Sequence, residues 1–278
     1  MTGRTLSSLI AAGRISESPL RALPLLAAHI GPVLAATPGL ATRFCRALKA
    51  GYPVRSPEQL RDTRVFIVHA PESDLDIPLA LLDRASTRWH GRVLLLFDDV
   101  RDSSALASWE LRGAAVASFC LLPGPGRQAI AVEGARLAVQ TLRRLCRGSQ
   151  VTLLRLDNKA KAKSHLVAAL TAVDALFPPL AEATVESLRH AGIARSQAFR
   201  LVFPWLEQRL RDYQHAGRRA WTTTSRPERR SQILRTLAAV RAIDPALAEY
   251  LAASLRNGLH LMGEESNWLH YSAATSSP

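Results

Sequence analysis

Four groups of residues have types and spacings that could do chemistry. The first is Ala11-Ala12-Gly13-Arg14-Ile15-Ser16, which follows the short apolar stretch Leu9–Ala11 and leads into a helix-forming segment. A glycine between strand and helix lets backbone approach an anion, and the helix N-terminus behind it offers unpaired N–H groups at the positive end of its dipole. This is the order of a β-α-β unit that holds a dinucleotide phosphate at its first turn. Of the three glycines such a turn uses, only the middle one, Gly13, is present, with Ala11 and Ser16 at the outer positions. The alternative is an ordinary strand-to-helix turn that binds nothing. The second group is Lys161 and His165, an i, i+4 pair on one helical face. Three of the four lysines lie within 159–163, in a chain that otherwise uses arginine. A lysine kept there could serve as proton donor or substrate anchor, the alternative being a solvated first turn.

The third group, His69, Glu72, Asp98 and Asp99, falls at the carboxyl ends of predicted strands, the edge where ligands bind in open α/β sheets. The Asp98–Asp99 pair could do acid–base work on a substrate or hold a cation, or start a turn and cap the next element. The fourth is the arginine-rich 218–230 region, RRAWTTTSRPERR, a solvated loop or a phosphate- or carboxylate-binding one. Arg226 could fork onto such an anion, Trp221 could stack a planar ligand, and Thr222 lies between them. The histidines show no metal spacing, so no metal is expected.

Several elements must position these groups. Arg64–Ala70, RVFIVHA, and Arg92–Phe97, RVLLLF, are apolar without alternation and read as strands buried on both faces, as in a parallel sheet. Further strands are predicted at 31–36, 114–121, 128–132 and 151–156. Helices are predicted at 14–28, where Pro24 should kink or shorten the helix, and at 38–49, 76–85, 103–111 and 134–146. No carboxylate follows the second strand, where one would take the ribose 2′-hydroxyl of NAD. The chain has Ala36-Thr37-Pro38 there, and the nearest charge is Arg43. A bound cofactor would therefore be NADP, with Thr37 and Arg43 near its 2′-phosphate, and with Ala11 to Ile15, Ala70 and Pro71 as the remaining contacts.

From Asp157 the alternation stops and apolar helices dominate. Leu166–Phe177 is apolar nearly all round and reads as a buried central helix that Pro178-Pro179 kinks or ends. Asp244-Pro245 is a strong helix start. The expected architecture is thus α/β over 1–156, a mostly parallel doubly wound sheet, an all-α part over 157–262, and a polar, disordered tail over 263–278.

At 278 residues, 47% of them apolar, the chain is long enough for a sizeable core. Arg21, Pro24, His29 and Pro32 break its apolar N-terminal segment, so neither a membrane span nor a secretory signal is expected and the default setting is cytoplasmic. Cys45, Cys120 and Cys146 form no C-x-x-C pair and read as reduced, buried thiols. A net charge of +13 would suit an anionic partner. Its carriers are nearly all arginine, in a chain rich in Ala and Leu, a skew of overall composition. Nucleic-acid binding is therefore disfavoured.

In order along the chain, AAGRIS, the strand end FIVHAPE at 66–72, AVEG at 131–134 and the helix start Lys161-Ala162-Lys163-Ser164-His165-Leu166-Val167 resemble the motifs of a bacterial family. Its members are Rossmann-like proteins with a C-terminal helical domain, distant kin of pyrroline-5-carboxylate reductase and of the 3-hydroxyisobutyrate and 6-phosphogluconate dehydrogenases. The resemblance implies a Rossmann domain that binds NADP(H) and a helical domain for substrate binding and homodimerisation. It implies hydride transfer with a small imine, keto or hydroxy substrate, Lys161 or His165 as proton relay, and substrate contacts from the 218–230 loop. Departures are several. The family's His-Cys-Ser-Gly is Leu96-Phe97-Asp98-Asp99 here, its His-Pro pair is Cys120-Leu121, and its Leu-Thr-Gly-Pro turn is replaced within Trp221–Arg230. A cofactor-free scaffold acting as a binding or partner subunit is therefore the alternative, and an anion- or nucleic-acid-binding protein the third.

Overall fold

The computed structural model describes residues 7–13, 23–70, 74–85, 88–122, 129–148, 150–156, 162–221, 227–263 and 266–270. The chain divides into two compact units, Met1–Leu170 and Thr171–Pro278.

The first unit is built on one sheet of eight strands: β1 (Ser7–Ala11), β2 (Ile30–Ala35), β3 (Tyr52–Pro53), β4 (Val65–His69), β5 (Val93–Phe97), β6 (Ala115–Leu122), β7 (Ala129–Gly134) and β8 (Thr152–Arg155). Their order is β3-β2-β1-β4-β5-β6-β7-β8. All pairings are parallel except β6 with β7. The mostly parallel, doubly wound sheet expected from the sequence is therefore present. Every residue of β1, β4 and β5 is buried, which is why these strands carry no polar alternation.

Helices cover both faces, and the side chains divide accordingly. Leu9, Val33, Ile67, Leu95, Phe97 and Phe119 pack with Phe44 of α2 (Pro38–Leu48) and Leu142 of α5 (Arg136–Leu145). On the opposite face, Ile10, Leu34, Phe66, Val68, Leu94 and Leu96 pack with Leu82 of α3 (Asp76–Ala85), Trp89, and Trp109 of α4 (Ala107–Leu111). The short helix α1 (Pro24–Ala27) begins at Pro24, where a missing N–H costs nothing, so the proline starts this helix rather than kinking it. The other part of the predicted 14–28 helix lies outside the described residues.

Gly134 ends β7 at φ 123°, and a Cβ on it would stand 2.5 Å from both Ala117 Cα and Val116 O on β6. The glycine of AVEG is thus required by backbone passing over backbone.

Helix α6 (Ala162–Thr171) is followed by a π-helical turn (Ala172–Leu176), then α7 (Phe177–His190). The helical run Ala162–His190 is apolar, with a mean hydropathy of 1.5 over its richest 18 residues, and only 6% of that window is buried. This corrects two expectations. Leu166–Phe177 is not buried within this chain, since Val173 is 64% exposed. Nor do Pro178 and Pro179 end the helix. The carbonyls four residues before them belong to Asp174 and Ala175, inside the π turn, whose wider winding makes room for the rings.

In the second unit, α8 (Arg195–Ala216), α9 (Pro227–Ile243) and α10 (Pro245–Leu261) follow α7. The carboxylate of Asp244 caps α10 by accepting from Leu247 N at 2.9 Å, as the Asp-Pro start implied. Asn267–His270, in the stretch expected to be a disordered tail, forms a 3-10 turn that buries Leu269.

Candidate functional site at the carboxyl edge of the sheet

The order of connection reverses at β1, which lies between β2 and β4 and is parallel to both, so a crevice opens at the carboxyl ends of β1 and β4. Ala11 and Ala12 are buried on opposite faces of the sheet, and Ala12 N donates to His69 O at 3.1 Å. Their side chains are core. Any ligand contact from them is made by backbone. Gly13, next in line, is half-buried at φ 80°, a conformation that favours glycine. The one glycine retained from the fingerprint is thus the one whose backbone angle calls for it. Arg14 and Ile15 lie outside the described residues, as do Pro71 and Glu72, while Ala70 is buried. Thr37 is the exposed N-cap of α2, its hydroxyl accepting from Leu40 N at 3.2 Å, and Arg43 is exposed on the same helix.

His69 ends β4 and is 8% exposed. Its Nδ1 lies 3.0 Å from Phe97 O, and its ring leans on that of Phe97 with centroids 5.2 Å apart. Phe97 in turn stacks on Phe119 at 4.7 Å and 3°. A carbonyl oxygen only accepts, so Nδ1 carries the proton and Nε2 keeps its lone pair. Burial pulls the His69 pKa below its ordinary 6.5, while the Phe97 carbonyl and the charges of Asp99 and Asp98 oppose the shift. The ring is neutral at pH 7.

The ends of β5, β6 and β7 hold a different arrangement. One carboxylate oxygen of Asp98 accepts from Val100 N at 2.7 Å and Arg101 N at 2.6 Å, folding the loop after β5 into a turn. Asp98 therefore acts as a turn former, the simpler of the two roles its position allowed. Asp99 is exposed, yet partial desolvation and the neighbouring Asp98 charge raise its carboxyl above the ordinary range. Glu133, opposite Ser118 across β6–β7, accepts from Ser103 N at 2.7 Å and Ser103 Oγ at 2.8 Å.

Between these elements lies Lys163, 2% exposed. Its ammonium donates to Asp98 O at 2.5 Å, Arg101 O at 2.6 Å and Ser118 Oγ at 2.5 Å. Ser118 passes its own proton to Arg101 O at 2.7 Å. All three partners of Lys163 thus act as acceptors, and three donors require the charged –NH3+ form. Burial lowers the Lys163 pKa, and the surrounding Cys120, Asp98, Glu133 and Asp99 push it back up. Lys161, the lysine expected from the family resemblance to act, lies outside the described residues. The lysine brought to the sheet edge is Lys163, two positions on. His165 is exposed on α6. In the second unit Trp221 ends a 3-10 turn begun at Gly217, and Thr222 and Arg226 lie outside the described residues.

Comparison with known proteins follows from this geometry. No family model and no curated protein matches the chain. Solved structures do. A variant of the imine reductase from Myxococcus stipitatus, in complex with NAD+, superposes with a TM-score of 0.66 at 13% identity, covering 96% of this chain and 98% of that one. The imine reductase from Aspergillus terreus, in complex with NADPH4 and dibenz[c,e]azepine, gives 0.65 at 17% identity, covering 97% and 100%. A pyrroline-5-carboxylate reductase from Coxiella burnetii gives 0.54 at 10% identity, covering 93% and 99%. The fold is that of these reductases. The Rossmann-type sheet with a helical C-terminal part, and its kinship in fold to pyrroline-5-carboxylate reductase, agree with the sequence reading.

Proposed function

We propose that this chain is an NADP(H)-dependent oxidoreductase acting on a small imine, keto or hydroxy substrate. The observation that carries the reading is Gly13 at φ 80°, half-buried at the end of β1 where the strand order reverses. With no Cβ there, backbone is free to come against a diphosphate. The residues at the end of β2 also fit, because Ala35, Ala36 and Thr37 present no carboxylate to repel a 2′-phosphate, and Arg43 follows on α2. When bound, the nicotinamide would supply hydride chemistry. The chain's part is to place the ring and substrate at the ends of β1 and β4 and to keep His69 neutral beside them.

A specific observation favours a second reading, a cofactor-free partner subunit. One oxygen of Asp98, the Ser118 hydroxyl, both oxygens of Glu133 and the Lys163 ammonium are taken up by hydrogen bonds within the chain. Thermal unfolding separates the two. Saturating NADPH raises the melting temperature under the first reading, by about 2.7 kcal/mol of linkage at a hundredfold excess over Kd. No shift with NADPH or NADH overturns it.

The expected partner is a second copy of the chain. Support comes from the exposed apolar run Ala162–His190 and from Phe203 and Trp205 on α8, each more than half exposed. The second unit's own clustered core is small, with Val185, Ala198 and Val202 at its centre. It also carries an apolar groove of about 460 Å3 lined by Leu180, Ile233, Leu237, Leu251 and Leu255. A chain with both an uncovered apolar helix and an uncovered apolar groove is self-complementary, as an isologous dimer requires. Light scattering should give twice 30.3 kDa, and Val173→Asp with Trp205→Glu should halve it. A wild-type monomer, or one that partitions onto lipid vesicles, overturns the dimer.

A further inference from the structure

We propose that Nε2 of His69 is the acceptor for an N–H donor of the bound ligand, either the carboxamide of the nicotinamide ring or the N–H of an iminium substrate. The proposal rests on the oxidoreductase reading and adds to it the residue that orients the reacting group and the polarity that group must have.

Nδ1 is held by the Phe97 carbonyl at 3.0 Å, so flipping the ring would sacrifice that bond. Nε2 is thereby left as a pure acceptor. No described group donates to it, and although His69 is 8% exposed as a residue, Nε2 is not among the polar atoms shut off from solvent. An acceptor open to solvent at the carboxyl edge of the sheet can exchange water for a ligand N–H. Asp98 is met by two N–H groups, Glu133 by a hydroxyl and an N–H, and Ser118 by the Lys163 ammonium. His69 stands apart from them. It pairs in register with Ala11 on one side and Phe97 on the other, one strand from the Gly13 turn.

Chemistry then narrows the ligand. A neutral imidazole lone pair repels a carbonyl oxygen and attracts N–H. The two carboxylates that face the ring from the loop after β5, Asp98 and Asp99, favour a donor that carries positive charge. Among imine, keto and hydroxy substrates, the protonated imine alone offers both features at the reacting atom. The primary amide of nicotinamide offers the N–H without the charge. A ketone offers neither.

The test uses wild-type protein with 15N-labelled histidine and a His69→Phe variant, which keeps an aromatic ring beside Phe97 and removes the acceptor. The pyridine-type 15N resonance of His69 should move upfield as Nε2 accepts a hydrogen bond. If it moves with NADPH alone, the donor is the carboxamide. If it moves only when 2-methyl-1-pyrroline joins NADP+ below the pKa of that imine, the donor is the iminium. In the arm that responds, His69→Phe should weaken binding by about 5–10-fold, the worth of one hydrogen bond. A resonance that stays put in both arms, with His69→Phe binding NADPH and imine as well as wild type, overturns the inference while leaving a cofactor-binding protein. Should NADPH fail to stabilise the wild type at all, the oxidoreductase reading falls and this inference falls with it.

Discussion

The two ends of one sheet edge treat polar side chains in opposite ways. At β5–β7 the polar groups are matched to one another: Lys163 meets three acceptors, Asp98 two N–H groups and Glu133 the Ser103 backbone and hydroxyl. At β1–β4 the chain leaves a glycine turn at positive φ and a histidine with one nitrogen unspent. Position at the carboxyl edge is common to both and therefore does not distinguish a binding residue. Spare hydrogen-bonding capacity does. The matched end fixes the loop that follows β5, and the unmatched end is where a ligand has something to gain.

The largest expected effect comes from breaking the matched end. Lys163→Met removes three donors, taking the ammonium from the Asp98 carbonyl and leaving Arg101 O and Ser118 Oγ only their bond to each other. Urea unfolding should show a loss of about 3–5 kcal/mol. A loss below about 1 kcal/mol would mean the loop holds without its clasp, and the contrast between the two ends would collapse. Gly134→Ala should cost about 2 kcal/mol or more in the same assay, because its Cβ meets Ala117 and Val116 backbone at 2.5 Å and its φ of 123° suits no other residue. Glu133→Gln is milder at about 1–2 kcal/mol, since the amide oxygen still accepts from Ser103 but the charge-assisted partner is gone. None of the three should change the Kd for NADPH, measured by protein fluorescence under conditions where each variant is folded. A large change in Kd would show that the matched end belongs to the ligand site after all.

How far the sequence foretold this contrast depends on the kind of signal. RVFIVHA and RVLLLF were legible as central strands because burial on both faces removes the polar alternation, and their length and β-branched and aromatic content favour a strand over a buried helix turn. Gly13 and Asp244-Pro245 were legible because backbone geometry at those points is local. The choice between Lys161 and Lys163 was not, because the two are separated by less than one helical turn and tertiary contact alone decides which side chain turns inward. The likeness to a family motif pointed to Lys161, and burial marks Lys163. Pro178-Pro179 misled for a related reason: the π turn that accommodates them has no composition of its own. Leu166–Phe177 reads as core because it is apolar all round, but a single sequence does not record whether its cover comes from the same chain. His69 and Asp98 were both picked out by position, and their difference lies in partners 28 residues and two to three residues away, respectively.

The smallest effect bears on the unmatched end and tests whether His69 is held neutral. Its pKa in the folded protein lies below the 6.5 of the free side chain, chiefly because burial disfavours the charged ring. The unfolded chain therefore binds the proton more readily than the folded one between those two values. Stability then rises with pH across that window and falls as pH drops through 6.5 towards the folded pKa. Above 6.5 both states are neutral at this residue and its contribution is constant. Urea midpoints from pH 5 to 8 should show a decline on the acid side in wild type. In His69→Phe, which has no proton to bind in either state, the decline should be shallower. Equal slopes would mean that the ring protonates as easily inside the fold as outside it, through the nearby Asp98 and Asp99 charges. Below pH 6.5 the β1–β4 end would then present a cation rather than a lone pair, and a ligand bound there would have to be an acceptor.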